Sequence, residues 1–373
     1  MVKRRLPCEE DRRPRRLRQS AEQSNGGLEP RARMNRTVTR FLAPRPRRLT
    51  PPLVGPYSTV ALSGSGSSPT PVFVLGLQRS GTTWLANVLA NHPNAVAVQA
   101  EDHFGIHESI FVSHFARAYG DLDDDLNFRR FAAEFTTSDY YMLTGLPPDW
   151  LLSDRPGSYP EAFRNVMDEM ARRRGGVQLW IEKSPTHTLL AEELAAAFPD
   201  ARFVGIERRP EPVIASQLRL DGDEPLRYPR RLLRLLSMCL TYSLNQRWLA
   251  RFCRECDRCR STSYEALSAN PARETERICA FLGVRFTDSM LDLPWRRNTS
   301  FEGRHQRSGS LNSFDRALVA VAVAALRLVP LSLLRSFHDR RKAHHGIEWP
   351  DWCWRRRDAG IAASSPEVSD LAR

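Results

Sequence analysis

Gly76-Leu-Gln-Arg-Ser-Gly-Thr-Thr83 is the stretch on which the fold turns. Its two glycines keep the GxxxxG spacing of a phosphate cradle. Thr82 stands where a nucleoside-triphosphate loop carries lysine, and the only cation, Arg79, lies inside the loop. Upstream, Pro71-Val-Phe-Val-Leu75 reads as a short buried strand. Downstream, Trp84, Leu85, Val88 and Leu89 set an apolar stripe on a helix that stops at Asn91-His92-Pro93. A strand–glycine loop–helix unit aims backbone N–H groups at an anion, and the helix dipole favours its negative charge. A kinase or ATPase spends its lysine on the terminal phosphates and the next Ser/Thr on magnesium. An arginine fork with hydroxyls beside it suits a tetrahedral anion that needs no metal. The plain alternative is a glycine turn with an ordinary helix cap.

The chain has 373 residues and a formal net charge of +12, enough length for one sizeable core with added segments. Much of the positive excess lies at the front, in Lys3-Arg-Arg5, Arg12-Arg13, Arg15-Arg16, Arg18 and Arg45 to Arg48. Residues 1–70 lack apolar periodicity and are rich in Pro, Gly and Ser, which predicts a basic, disordered extension. Its arginines would suit nucleic acid or an anionic membrane, or form a solvated tail ahead of a start at Met34. No apolar segment follows the N-terminal charges, so no secretory signal is expected. The apolar run Ala317 to Leu334 contains Arg327 and Pro330 and falls short of the ~20 strongly apolar residues of a membrane span, so a buried C-terminal helix is expected. Cys253, Cys256 and Cys259 make C-x-x-C-x-x-C. That spacing would hold an iron–sulfur cluster or zinc, or line one side of the helix running from Leu232 through Phe252. Nothing in the cysteine pattern suggests a disulfide scaffold, which favours a reducing compartment and a cytoplasmic location.

Strands alternate with helices along the rest of the chain. Ala95–Val98, Val177–Ile181, Arg202–Ile206 and Ser261–Tyr264 read as strands, and 106–175 reads as helical with aromatic clusters. The expectation is an α/β fold, P-loop-like and three-layered, with a central parallel sheet flanked by helices and its site at the strands' C-terminal ends. The domain spans 71–345, with 105–175 as a helical insertion shaping the acceptor pocket and 346–373 as a tail.

Other chemistry-bearing residues collect at the same strand ends. Arg208 follows a strand, Pro210 starts a helix, and Ser216 lies two turns into it, so arginine and serine would meet one phosphate. Lys183 closes the preceding strand, with His187 close behind it, and Glu101 follows the second strand. Taken singly, these are also compatible with a surface arginine, a packed serine, a capping histidine and a solvated carboxylate.

Together the segments resemble a sulfotransferase that uses 3′-phosphoadenosine 5′-phosphosulfate. Gly76 to Trp84 resembles the family's segment for the 5′-phosphosulfate, and Ile206-Glu-Arg-Arg-Pro-(x)₅-Ser216 its R-D-P-(x)₅-S segment for the 3′-phosphate. Glu182-Lys-Ser-Pro-Thr-His187 is similar to the E-K-[ST]-P and K-x-P-x-H stretches of bacterial and carbohydrate-type members. Glu101-Asp-His-Phe104 is similar to the E-x-H-F stretch, and Tyr264-Glu-Ala-Leu267 with Phe281-Leu-Gly283 to a later Y-E-D-L and F-L-G. The resemblance covers roughly 71–330 and departs from the pattern at Arg209, where aspartate is usual. Arg304-His-Gln-Arg-Ser308 is a candidate for the family's C-terminal glycine-containing segment.

The resemblance implies a metal-free in-line transfer of a sulfuryl group to a hydroxyl or amine. Arg79 and Lys183 would neutralise developing charge. The 5′-phosphate would lie on Ser80, Gly81, Thr82 and Thr83, with Trp84 against adenine and Arg208 and Ser216 on the 3′-phosphate. Glu101 would take the acceptor's proton, with His187 as runner-up. The acceptor would be a carbohydrate, lipid or other hydroxyl compound; no specific nucleic acid or transmembrane segment is expected. Two readings compete. A P-loop kinase or nucleotide-binding protein needs the missing G-K-[ST] lysine, and a basic nucleic-acid-binding protein leaves Gly76–Thr83 and Arg208–Ser216 unexplained.

Overall fold

Four short, largely apolar runs and one polar edge strand form a parallel sheet in the computed structural model, which describes residues 68–221, 227–293, 311–343 and 346–360. The basic N-terminal stretch up to residue 67 and Arg304–Ser308 lie outside the described residues.

Strand β1 (Thr70–Leu75) runs into the glycine loop and α1 (Thr82–Ala90), and the chain returns as β2 (Ala95–Ala97). A two-stranded antiparallel ribbon follows, β3 (Gln99–Ala100) with β4 (Gly105–Ile106), bridged by a 3₁₀ turn at Glu101–His103. The helical insertion comprises a π-turn at Phe111–Phe115, α2 (Ala116–Ala118), α3 (Asp125–Thr136), α4 (Asp139–Met142), α5 (Pro148–Asp154) and α6 (Tyr159–Arg173). Strand β5 (Leu179–Lys183) leads through a 3₁₀ segment, Pro185–Leu190, to α7 (Ala191–Ala197). β6 (Arg202–Glu207) leads to α8 (Pro210–Leu218) and α9 (Arg230–Glu255). Last come β7 (Cys259–Ser263), α10 (Tyr264–Ala269), α11 (Pro271–Leu282), α12 (Ser313–Leu326), α13 (Leu331–Ala343) and α14 (Arg355–Asp358).

The strand order is β2-β5-β1-β6-β7, with every neighbouring pair parallel. β1 is central, with β5 on one side and β6 on the other, so the loop after β1 opens where successive crossovers diverge. That is where an open α/β sheet leaves a crevice for ligands. The inner strands β5, β1 and β6 are buried on both faces, which is why they read as nearly continuous apolar runs, whereas the edge strand β7 is polar and partly exposed. Phe73 and Leu75 face a core shared with Trp180, Phe198, Phe203 and the aromatic insertion. Val72 and Val74 face the opposite core with Leu85, Val88, Ile181, Val204 and Ile278. This alternation along β1 is the period of two that a strand imposes.

Three expectations are corrected. Residues 317–334 do not form one buried helix. Pro330 cannot continue an α-helix, and the chain breaks into α12 and α13, whose axes differ by 114°. Val319 and Val323 are buried against α8 and α9, but Val321 is 69% exposed and Leu328 87%. The three cysteines do not line a helix face either, because α9 ends at Glu255 and Cys259 belongs to β7. Cys253 and Cys259 are joined as a disulfide with Cα atoms 4.7 Å apart, and Cys256 stays free, a pairing the cysteine spacing did not suggest. Finally, residues 346–360 are packed: Trp349, Trp352 and Trp354 lie against the insertion's core, and Cys353 is buried there.

Candidate active site

The glycine loop is shaped by close approach. A Cβ on Gly76 would lie 2.7 Å from the Ile206 carbonyl oxygen of β6, so only glycine lets the loop leave the sheet beside its neighbour. Gly81 has φ +98°, and a Cβ there would lie 2.6 Å from the Tyr264 ring. Thr188 fixes the start of the loop: its Oγ1 accepts from Gly76 N at 2.8 Å and donates to Gly76 O at 3.0 Å. The Ser80 amide donates to the Leu77 carbonyl at 3.0 Å, closing the turn, and α1 begins directly after Gly81. The amides of Thr82, Thr83 and Trp84 are then first-turn N–H groups with no intrahelical acceptor. Thr82 and Ser80 are buried, while Thr83 and Trp84 are half-buried.

Arg79 takes a left-handed backbone, φ +75°, and Nε donates to Ser216 Oγ in α8 at 2.8 Å. Arg208, from the end of β6, donates from Nη1 to the Arg79 carbonyl at 3.1 Å. Its guanidinium lies 3.8 Å over the Tyr264 ring, and its own carbonyl accepts from Tyr242 Oη at 2.8 Å. The two sequence segments therefore converge on one shell. Arginines crowded in this way repel. Burial first, then Arg219 and Arg208, brings the Arg79 pKa down to about 10. Ser80 Oγ and Arg208 Nε are buried with no partner. Orphaned donors beside a loop with no room for a Cβ fit an anion that brings its own acceptors. Arg209, at the position where aspartate is usual, turns outward and pairs with Glu265 at 3.3 Å.

A second network closes the C-terminal end of β5. Glu182 is buried: Oε1 accepts from Ser109 Oγ at 2.6 Å and Ser184 Oγ at 2.5 Å, and Oε2 lies 3.1 Å from His187 Nδ1. Burial opposes the Glu182 charge, but His187 and the two hydroxyls outweigh it and hold the carboxyl below its ordinary range. His187 is wholly buried, with Nε2 unpartnered. Lys183, 2% exposed, donates from Nζ to Glu108 Oε1 at 2.8 Å. His103 and His107 stack with ring centroids 3.9 Å apart, and Trp352 meets both edge-on. Burial foremost lowers the His103 pKa, and Lys183 adds to the fall. Glu101 is exposed at the start of the same turn, two residues from His103.

Arg79, Ser80, Gly81, Thr82, Thr83, Trp84, Arg208 and Ser216 thus sit around one loop. Lys183 and His187 lie at the end of the neighbouring strand β5, and Glu101 is exposed at the start of the turn that ends at His103. Sequence reading missed Glu108, Ser109, Ser184 and Thr188, and the Tyr264 ring under Arg208. Glu108, Ser109, Thr188 and the Tyr264 ring are brought in by tertiary packing with no local spacing to mark them, whereas Ser184 stands two residues from Glu182 within the Glu182–His187 segment.

A model of the sulfotransferase family matches residues 71–288. The chain belongs to the sulfotransferase family. Solved structures similar to this sulfotransferase include the sulfotransferase domain of the Synechococcus PCC 7002 olefin synthase, at 17% identity over 72% of this chain and 98% of that one, with a TM-score of 0.46. The sulfotransferase domain from the curacin biosynthetic pathway shares 21% identity over 65% of this chain and 83% of its own, at a TM-score of 0.43. A sulfotransferase from Mycobacterium tuberculosis shares 17% identity over 69% and 77%, at 0.41. No curated protein matches this sulfotransferase.

Proposed function

We propose that this sulfotransferase takes its sulfuryl group from 3′-phosphoadenosine 5′-phosphosulfate and passes it to a hydroxyl or amine. The observation that carries the reading is the 2.8 Å bond from Arg79 Nε to Ser216 Oγ, with Arg208 bonded to the same loop. It makes one cationic shell from two segments 137 residues apart. The donor, when bound, supplies the sulfuryl group: the acceptor's O–S or N–S bond forms as the S–O bond to the 5′-phosphate breaks. First-turn amides of α1, with Ser80, Gly81, Thr82 and Thr83, hold the 5′-phosphate. Arg208 and Ser216 hold the 3′-phosphate, and Trp84 borders the adenine. Arg79 and Lys183 supply the positive charge that developing negative charge on the leaving oxygen requires, which is why the step is read as metal-free. Glu108 steadies Lys183 through its 2.8 Å bond until the donor is seated.

Glu101 is the proposed base. It is exposed where an acceptor can reach it, at the start of the turn that carries His103. His187 is the runner-up, because a wholly buried ring bonded to Glu182 has less access to an acceptor. The acceptor would be a carbohydrate, lipid or other hydroxyl compound, in a pocket bordered by the aromatic insertion.

Donor labelled on its sulfate, incubated with panels of carbohydrate, lipid and phenolic acceptors, tests the reading. Transfer to at least one panel that collapses in Arg79→Ala supports it. An Arg79→Ala protein keeping more than about a tenth of wild-type turnover contradicts the assigned role.

A further inference from the structure

Three helices away from the donor loop expose an unusual combination of side chains. Along the outer side of α12 and its C-terminal turn, Phe314 is 61% exposed, Val321 69% and Leu328 87%. These recur every seven residues and so share one face. Ala317, Ala320, Ala324 and Ala325 are exposed on the same helix, so this side carries methyl groups where a solvated helix carries charge. On α13, Leu333 and Phe337 are 60% and 50% exposed, one turn apart, and on the first turns of α9 Leu233 is 64% exposed. The helices pack together: Arg341 of α13 donates to Ser237 of α9 at 2.9 Å, and Asp315 of α12 pairs with Arg231 of α9 at 2.6 Å.

Among the described residues of α9, α12 and α13, the exposed charge is almost all positive. α9 has six arginines in its sequence against one acid, Glu255 at its last position. Arg230, Arg234, Arg316, Arg327, Arg340 and Arg341 are exposed. Of the acids on α12 and α13, Asp315 is buried under Arg231 and Asp339 is engaged by Arg335.

We propose that α12, α13 and the first turns of α9 form a surface that docks on an anionic lipid bilayer. The charge distribution selects this occupant. A two-fold contact with a second copy would set the basic rims against one another, a repulsive arrangement. A nucleic-acid backbone would meet the arginines but leave the leucines and phenylalanines in water. A bilayer interface satisfies both, with apolar side chains at the acyl boundary and arginines among anionic headgroups. Among the described residues no single helix is long and apolar enough to cross a membrane, and α12 and α13, which are apolar enough only as a pair, are bent by 114° at Pro330. Val319 and Val323, on the inner side of α12, pack with Val213, Ile214 and Leu218 of α8, the helix that carries Ser216. Docking by the outer side therefore leaves the donor loop open to solvent, and the inference stands whether or not the donor assignment does.

Co-sedimentation of the full chain with vesicles of phosphatidylcholine alone, or with phosphatidylglycerol added, tests it. Binding is expected with the anionic vesicles only. Leu333→Ser/Phe337→Ser is expected to lower the partition coefficient about tenfold or more, with the chain still folded in a thermal melt because both side chains are half or more exposed. Arg316→Glu/Arg340→Glu, which keeps every apolar group, is expected to produce a comparable loss. Three outcomes would overturn the proposal. The first is absence of vesicle binding. The second is wild-type binding by both double variants, which would leave the basic residues 1–67 as the contact. The third is a dimer that Leu333→Ser/Phe337→Ser dissolves, which would make a second copy the occupant.

Discussion

Replacing Tyr264 with leucine isolates the way Arg208 is held. The Tyr264 ring lies 3.8 Å beneath the Arg208 guanidinium, packs edge-on to Trp84 with centroids 5.5 Å apart, and fills the space a Cβ on Gly81 would need. A cation stacked on an aromatic face is worth about 0.5 kcal/mol in water and about 2 kcal/mol when desolvated. Arg208 Nε is buried, which places this contact toward the upper part of that range. Tyr264→Leu should therefore weaken 3′-phosphoadenosine 5′-phosphate about 5- to 30-fold. Tyr264→Phe keeps the ring and should stay within about twofold of wild type. Isothermal titration against two ligands, one with the 3′-phosphate and one without it, separates the arginine from the rest of the pocket. The loss should fall on the ligand that has the 3′-phosphate. Equal losses on both ligands, or wild-type affinity in Tyr264→Leu, would refute the role given to the stacked arginine.

Further outcomes follow from neighbouring contacts. Gly81→Ala forces a Cβ to within 2.6 Å of the Tyr264 ring at φ +98°. It should cost about 1–3 kcal/mol in a denaturant melt and lower donor affinity with it. Glu108→Gln removes the charge partner of a 2% exposed lysine and should destabilise by about 1–3 kcal/mol, whereas Glu101→Gln should leave the melt within about 0.5 kcal/mol and lower turnover. Acid should loosen the insertion. Burial, reinforced by His103, Lys183 and Arg356, holds the His107 pKa well below 6.5. The unfolded chain then takes up that proton first, so this stability is complete above pH 6.5 and is lost as pH falls from 6.5 toward the folded-state pKa. His107→Gln should flatten that part of a melting-temperature profile, and an unchanged slope would contradict the cause. Anion affinity should also fall as pH rises through about 10, the lowered pKa of Arg79.

The loop and its sheet were legible because their causes are local. Gly76 and Gly81 stand where a Cβ meets Ile206 or Tyr264, and β1, β5 and β6 are apolar because they are buried on both faces. Arg208 and Ser216 were expected to serve one phosphate, and both are found on Arg79, one at its carbonyl and one at its Nε. The Lys183–Glu108 pair was not legible, since 75 residues separate partners with no periodicity between them. The disulfide was hidden for a similar reason: a helix end and a strand start bring Cys253 and Cys259 together, and spacing alone suggested metal or a helix face. Pro330 was visible in the sequence, but its consequence, two helices at 114° with a half-exposed apolar face, depends on how α12 meets α8 and α9.

The central claim is that the Arg79, Arg208 and Ser216 shell reads a nucleotide with a 3′-phosphate and does so without magnesium. Thermal unfolding with 3′-phosphoadenosine 5′-phosphate, set beside ATP with magnesium, tests it most directly. At about 100 times its dissociation constant a ligand specific to the native state stabilises by about 2.7 kcal/mol, a readily measured rise in melting temperature. A rise with the first nucleotide and none with the second is the predicted result. Stabilisation by ATP with magnesium alone would contradict the account and return the loop to the nucleoside-triphosphate class.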